Sequence, residues 1–150
     1  MSDFHDETYL FVYGTLLKGM PRSAFLYQSN RAEFVGEATI QARLYDTGSF
    51  PAAVIPEPDN IKPGDVLHGE VYLLHEPWTV LSTLDTIEGY NAIHPQRSLF
   101  QRTTCQAHNG EQSREVQVYI YNQSIDGLKC IESGSYREYV AGKNSEKLNE

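Results

Sequence analysis

The run Tyr9-Leu10-Phe11-Val12-Tyr13, closed by Gly14, constrains the fold more than any other stretch of this 150-residue chain. Its aromatic, aliphatic and β-branched residues follow one another with no polar residue between them, so the run reads as a strand buried on both faces. The other elements follow from the same kind of reading. A short helix is expected over Ser23-Ala24-Phe25-Leu26. Phe34 to Tyr45 reads as extended, Gly48-Ser49-Phe50-Pro51 breaks it, and Ala52 to Ile55 resumes a strand. Residues 56–65, with three prolines and a glycine, read as a loop, and Val66 to Leu74 as a further strand. Pro77 suits the first turn of a helix that runs through Trp78, Val80, Leu81, Leu84 and Ile87 and stops at Gly89. Asn109-Gly110 is a two-residue hairpin signal between segments at about Leu99–Ala107 and Glu115–Tyr121. Ser135 and Glu138 have capping-box spacing for a last short helix before Gly142. Residues 1–8 read as a polar lead-in, and the tail after Gly142 as polar and loose. Mostly antiparallel strands with a few helices give an α+β class. The length fits one domain, with its core at about residues 9–142.

Composition excludes several partners. Hydrophobic residues make up 40% of the chain, which argues against disorder. The net charge of -8, with no basic stripe, disfavours nucleic acid and anionic membrane surfaces. No apolar run approaches the ~20 residues needed to span a bilayer. The N-terminus, MSDFHDE, lacks a basic region and is not expected to be a secretory signal. Cys105 and Cys130 form no CxxC, so a reduced, cytoplasmic setting is expected. His5, His68, His75, His94 and His108 show no close metal-ligand spacing, so no metal is assigned. There is no P-loop and no GxGxxG.

Glu88 is the residue out of place. With Leu81 and Leu84 it is spaced i, i+3, i+7, on one helical face. If the helix persists to its end, this carboxylate points inward. Desolvation and the C-terminal end of the helix dipole then both raise its pKa, toward values useful for proton transfer. If the helix frays at Ile87, Glu88 lies in solvent. The turn Tyr13-Gly14-Thr15-Leu16 offers a second candidate. Its glycine permits backbone N–H groups to face outward together as an anion nest, although a glycine after a strand also serves as an ordinary turn. Tyr119 and Tyr121 alternate with Val118 and Ile120 and share one strand face, suited to a polar ligand or to packing.

Taken in order, several segments resemble the gamma-glutamylcyclotransferase-like family, which includes gamma-glutamylamine cyclotransferases and plant avirulence-induced proteins. They are Phe11-Val12-Tyr13-Gly14-Thr15-Leu16, Gly48-Ser49-Phe50-Pro51-Ala52, Gly69-Glu70-Val71-Tyr72, Leu84-Asp85-Thr86-Ile87-Glu88-Gly89-Tyr90 and Val118-Tyr119-Ile120-Tyr121. Residues 126–134 are similar to the C-terminal part of short bacterial members. The resemblance implies a small mixed β-barrel flanked by short helices, with a cavity at one mouth. It implies that Glu88 is internal and handles protons, and that the loop backbone binds a γ-glutamyl α-carboxylate. The implied substrate-binding set is Tyr13, Gly14, Thr15, Leu16, Phe50, Tyr119 and Tyr121, with no metal and no cofactor. Phe50 stands where many relatives have tyrosine. The expected partner is a small γ-glutamyl compound, and the expected assembly a monomer or small homo-oligomer. Three functions compete: an enzyme releasing 5-oxoproline, a non-catalytic sensor with the same cavity, and an interaction domain with a vestigial pocket.

Overall fold

The computed structural model describes residues 7–148; most of the polar lead-in, with His5, lies outside them. Eight strands, β1 (Tyr9–Val12), β2 (Ala32–Ile40), β3 (Arg43–Asp46), β4 (Pro51–Val54), β5 (Leu67–Leu74), β6 (Phe100–Asn109), β7 (Gln112–Tyr121) and β8 (Lys129–Cys130), combine with two helices, α1 (Pro77–Glu88) and α2 (Tyr136–Leu148). Five strands close into a barrel in the order β1-β5-β2-β6-β7, and β4-β3-β8 form a separate small sheet. The barrel is mixed because β1 pairs antiparallel with β5 but parallel with β7 at Leu10 and Gln117. Among the described residues no helix is long and apolar enough to cross a membrane.

The opening run is buried on both faces, for a reason visible in the packing. Leu10 and Val12 point toward α1 and join Val80, Leu81, Leu84, Phe100 and Tyr119 in one apolar cluster. Phe11 and Tyr13 point the other way and join Ala38, Ile40, Leu67, Val71, Val116 and Val118. Alternation along a strand therefore feeds two cores from five residues.

Four expectations need correction. The extended stretch Phe34 to Tyr45 is two strands in two sheets, broken at Gln41 and Ala42. Ala42 is buried at the break, so the chain turns there to carry Leu44 into the second core. The short helix over residues 23–26 is a single 3-10 turn, Ser23–Phe25. The hairpin loop is Gly110-Glu111, one residue later than Asn109-Gly110, since Asn109 pairs with Gln112. Finally, α2 does not stop at Gly142 and runs to Leu148. A glycine costs about 1 kcal/mol inside a helix. Here Tyr139 and Lys143, one on each side of Gly142, both bond Asp46 of β3 and hold the helix down.

Candidate active site

A cavity of about 160 Å³ opens where the loop after β1 faces the last turn of α1. The loop is shaped by its own backbone, with Leu17 N–H donating to Gly14 O at 3.1 Å. Gly14 is required by contact: a Cβ there would lie 2.7 Å from Pro51 Cγ at the start of β4. The N–H groups of Gly14, Thr15 and Leu16 find no acceptor among the described residues. Backbone donors left without a partner are what an anion nest needs. Buried Glu70 on β5 braces the same loop. Its Oε1 accepts from Lys18 N–H at 2.9 Å and from the Tyr72 hydroxyl at 3.2 Å. Its Oε2 accepts from Arg137 of α2 at 3.0 Å.

The opposite wall is α1. The helix persists through Glu88 and ends at Gly89, which adopts the left-handed conformation (φ 70°) and donates to Asp85 and Thr86 carbonyls. The stripe Leu81, Leu84, Glu88 therefore stays on one face. Leu81 and Leu84 are buried, and the Glu88 side chain lines the cavity at 14% exposure. Burial pushes the Glu88 carboxyl above its ordinary value, and the nearby Arg22 guanidinium pulls in the opposite direction.

Arg22 was not anticipated. Its Nε donates to Thr15 Oγ1 at 2.7 Å. Its Nη2 lies 3.4 Å from Glu88 Oε1. One guanidinium thus spans from the loop to the carboxylate. A loop arginine carries no periodicity that could reveal its direction. The only hint in the sequence is a cation a few residues past Gly14.

The remaining expected residues divide. Phe50 lines the cavity and is set there by the Thr47–Phe50 turn, where Thr47 Oγ1 accepts from Phe50 N–H at 3.0 Å. Tyr13 lines it as part of the loop, but its hydroxyl donates into the core, to Tyr119 O at 2.6 Å. Burial, then the charge of Glu88, raises its pKa. Tyr119 also lines the cavity, but its hydroxyl is committed to Asp85 Oδ1 at 2.6 Å. Arg102 holds the same carboxylate at 2.9 and 3.3 Å. This Tyr119–Asp85–Arg102 cluster fastens α1 to β6 and β7 one turn before Glu88. Tyr121 does not line the cavity. It stacks edge-on against Phe50 and Phe100, at 6.1 and 5.5 Å between ring centres, behind the wall.

A family model described as "Gamma-glutamyl cyclotransferase, AIG2-like" matches residues 10–138. The chain belongs to this family. Among curated proteins it is similar to the gamma-glutamylcyclotransferase family protein YtfP of Escherichia coli, at 30% identity over 129 residues, 85% of this chain and 94% of that one. Among solved structures it is similar to YkqA from Bacillus subtilis, with a TM-score of 0.70 at 21% identity; the match covers 93% of this chain but 43% of YkqA. It is similar too to an AIG2-like protein from Mus musculus, with a TM-score of 0.64 at 23% identity over 86% of this chain and 88% of that one. At those identities the structural likeness speaks to fold. Membership in the AIG2-like family supports a gamma-glutamylcyclotransferase-like activity at the family level.

Proposed function

We propose that this protein releases 5-oxoproline from a small γ-glutamyl compound, with Glu88 as general acid and base. The observation that carries this reading is the facing pair across the cavity: a partly desolvated carboxylate on one wall and three unclaimed backbone N–H groups on the other. The substrate α-carboxylate is held by the N–H groups of Gly14, Thr15 and Leu16. Ionised Glu88 takes a proton from the adjacent α-ammonium group. The freed amine adds to the γ-carbonyl carbon, forming the ring C–N bond and pushing the carbonyl electrons onto oxygen. As that carbonyl re-forms, the old C–N bond breaks and Glu88 hands its proton to the departing nitrogen. The second proton, shed as the ring nitrogen becomes an amide, ends on the released amine, which leaves as an ammonium.

Attacker and target belong to one molecule, so the pocket's task is to hold the cyclising conformer. The hydroxyl of Tyr119 serves α1 through Asp85, and Tyr121 stands behind Phe50; neither is assigned to the oxyanion. Cys105 and Cys130 are both free thiols, which fits a reducing, cytoplasmic setting.

The test is Glu88→Gln, which keeps the shape and removes the proton acceptor. Release of 5-oxoproline should fall by roughly 10²–10⁴-fold, while binding of a γ-glutamyl ligand changes far less. Cyclisation at the wild-type rate by Glu88→Gln would falsify the assignment. Ligand binding without turnover in the wild type would favour a non-catalytic sensor.

A further inference from the structure

Building on the reaction proposed above, we propose that Arg22 is a specificity-determining residue that reads a carboxylate on the departing amine. The preferred substrates are then γ-glutamyl α-amino acids rather than γ-glutamyl amides of simple alkylamines.

Arg22 and Glu88 are the two charged side chains that line the cavity. A guanidinium has five N–H donors in a fixed plane. Nε and Nη2 lie along one edge, and that edge is turned to the protein, toward Thr15 Oγ1 and Glu88 Oε1. The other edge, formed by Nη1 and the second hydrogen of Nη2, has no acceptor among the described residues. The side chain is 42% exposed, so this edge is open to an incoming group. Two parallel donors on one edge match a carboxylate in bidentate fashion. The residue is also fixed in place. Its backbone N–H donates to Thr15 O at 2.9 Å, and its carbonyl accepts from Phe25 N–H at 3.1 Å.

Position decides which carboxylate is read. The loop N–H groups face the γ-glutamyl end of the substrate. Arg22 touches both the loop, at Thr15 Oγ1, and Glu88 Oε1, the group that hands a proton to the departing nitrogen. With the γ-glutamyl α-carboxylate taken by the loop N–H groups, its open edge is left for a carboxylate on the departing amine. In an α-amino acid the carboxylate is joined to that nitrogen through one carbon. A nitrogen placed against Glu88 therefore brings this carboxylate beside Arg22. An alkylamine brings nothing there. Without Arg22 the same carboxylate would face ionised Glu88 in a molecule of net charge -8 and be repelled. The rim around this point is apolar, with Ile87 and Leu99 at 45% and 38% exposure. That rim suits an aliphatic side chain on the departing amino acid.

The experiment compares γ-glutamyl-leucine with γ-glutamyl-3-methylbutylamide, which has the same shape without the carboxylate. The kcat/KM for 5-oxoproline release is measured for wild type, Arg22→Gln and Arg22→Lys, each checked for folding by circular dichroism. Wild type should favour γ-glutamyl-leucine by about tenfold to a hundredfold, mostly through KM. The ratio should fall to near one in Arg22→Gln and recover in part in Arg22→Lys, which restores charge but not the two-pronged edge. A ratio near one in wild type, or a ratio that survives Arg22→Gln, overturns the proposal. So does an equal loss on both compounds, which would mean that Arg22 holds the γ-glutamyl end. If wild type turns over neither compound, the proposed turnover fails for this pair, and the preference is read by calorimetric binding of both. Tighter γ-glutamyl-leucine binding that Arg22→Gln abolishes sustains the role of Arg22; equal or undetectable binding overturns it.

Discussion

Glu88 sits between two opposing influences. Burial disfavours its charge, and Arg22 at 3.4 Å favours it. Burial prevails, so the folded-state pKa lies above the ordinary carboxylate value. Between those two values the folded protein keeps a proton that the unfolded chain has lost, and stability falls as pH rises through that window. Glu88→Gln has no such proton. Near neutral pH it should unfold at a temperature equal to or above wild type, since the exposed Arg22 side chain rehydrates readily once unpaired. The difference should close as pH drops below the ordinary carboxylate value. Thermal unfolding across that pH range checks the sign, and a Glu88→Gln protein clearly less stable near neutral pH would contradict it. At this scale the sequence was informative where periodicity existed. The spacing of Leu81, Leu84 and Glu88 put the carboxylate on the inward face if the helix held to its end; the spacing alone left open whether the last turn frays. Arg22 and the destination of the Tyr119 hydroxyl had no such signal, because both depend on contacts between segments distant along the chain.

Two ties between elements deserve separate tests. Glu70 on β5 holds the loop after β1 and the start of α2 through three donors, at 3% side-chain exposure. Glu70→Ala strips acceptors from the Lys18 N–H and from the buried Tyr72 hydroxyl. It should destabilise the fold by about 2–4 kcal/mol, and γ-glutamyl ligands should bind more weakly because the Gly14–Leu16 loop loses its brace. Denaturant titration and calorimetry read the two effects. The second tie is Asp46 on β3, which accepts from Tyr139 and Lys143 of α2 and from Gly48 N–H. The Tyr139 hydroxyl foremost, against the cost of burial, lowers the Asp46 pKa to about 2. A depressed carboxylate stabilises above its unfolded value, so this tie should be lost as pH falls toward 2. Tyr139→Phe should cost about 0.5–1.5 kcal/mol, with hydrogen exchange quickening first in α2. Element boundaries were legible where local chemistry sets them, as at Pro77 and Gly89 around α1. They were not legible where a distant partner decides. The two-residue β8 exists because Tyr45 and Asp46 pair with it, and α2 passes Gly142 because Asp46 grips it on both sides.

The closed barrel brings these pieces into one arrangement. Because β1 lies between β5 and β7, its last residues emerge beside α1, and the loop that follows has little choice but to face Glu88. That β1 is buried on both faces could be read from five residues. That the sheet is a mixed barrel was legible only through the family resemblance, and the parallel β1–β7 contact was not legible at all, since register between distant strands leaves no local trace. The proposed chemistry is intramolecular and should survive chelation. The measurement closest to the central claim is therefore 5-oxoproline release, read by mass, from a panel of γ-glutamyl amino acids and γ-glutamyl amines incubated with the purified protein, with and without EDTA. The account predicts catalytic release from at least one compound at a rate that EDTA leaves unchanged. No release from any compound, or release lost to EDTA and restored by a divalent ion, would contradict it.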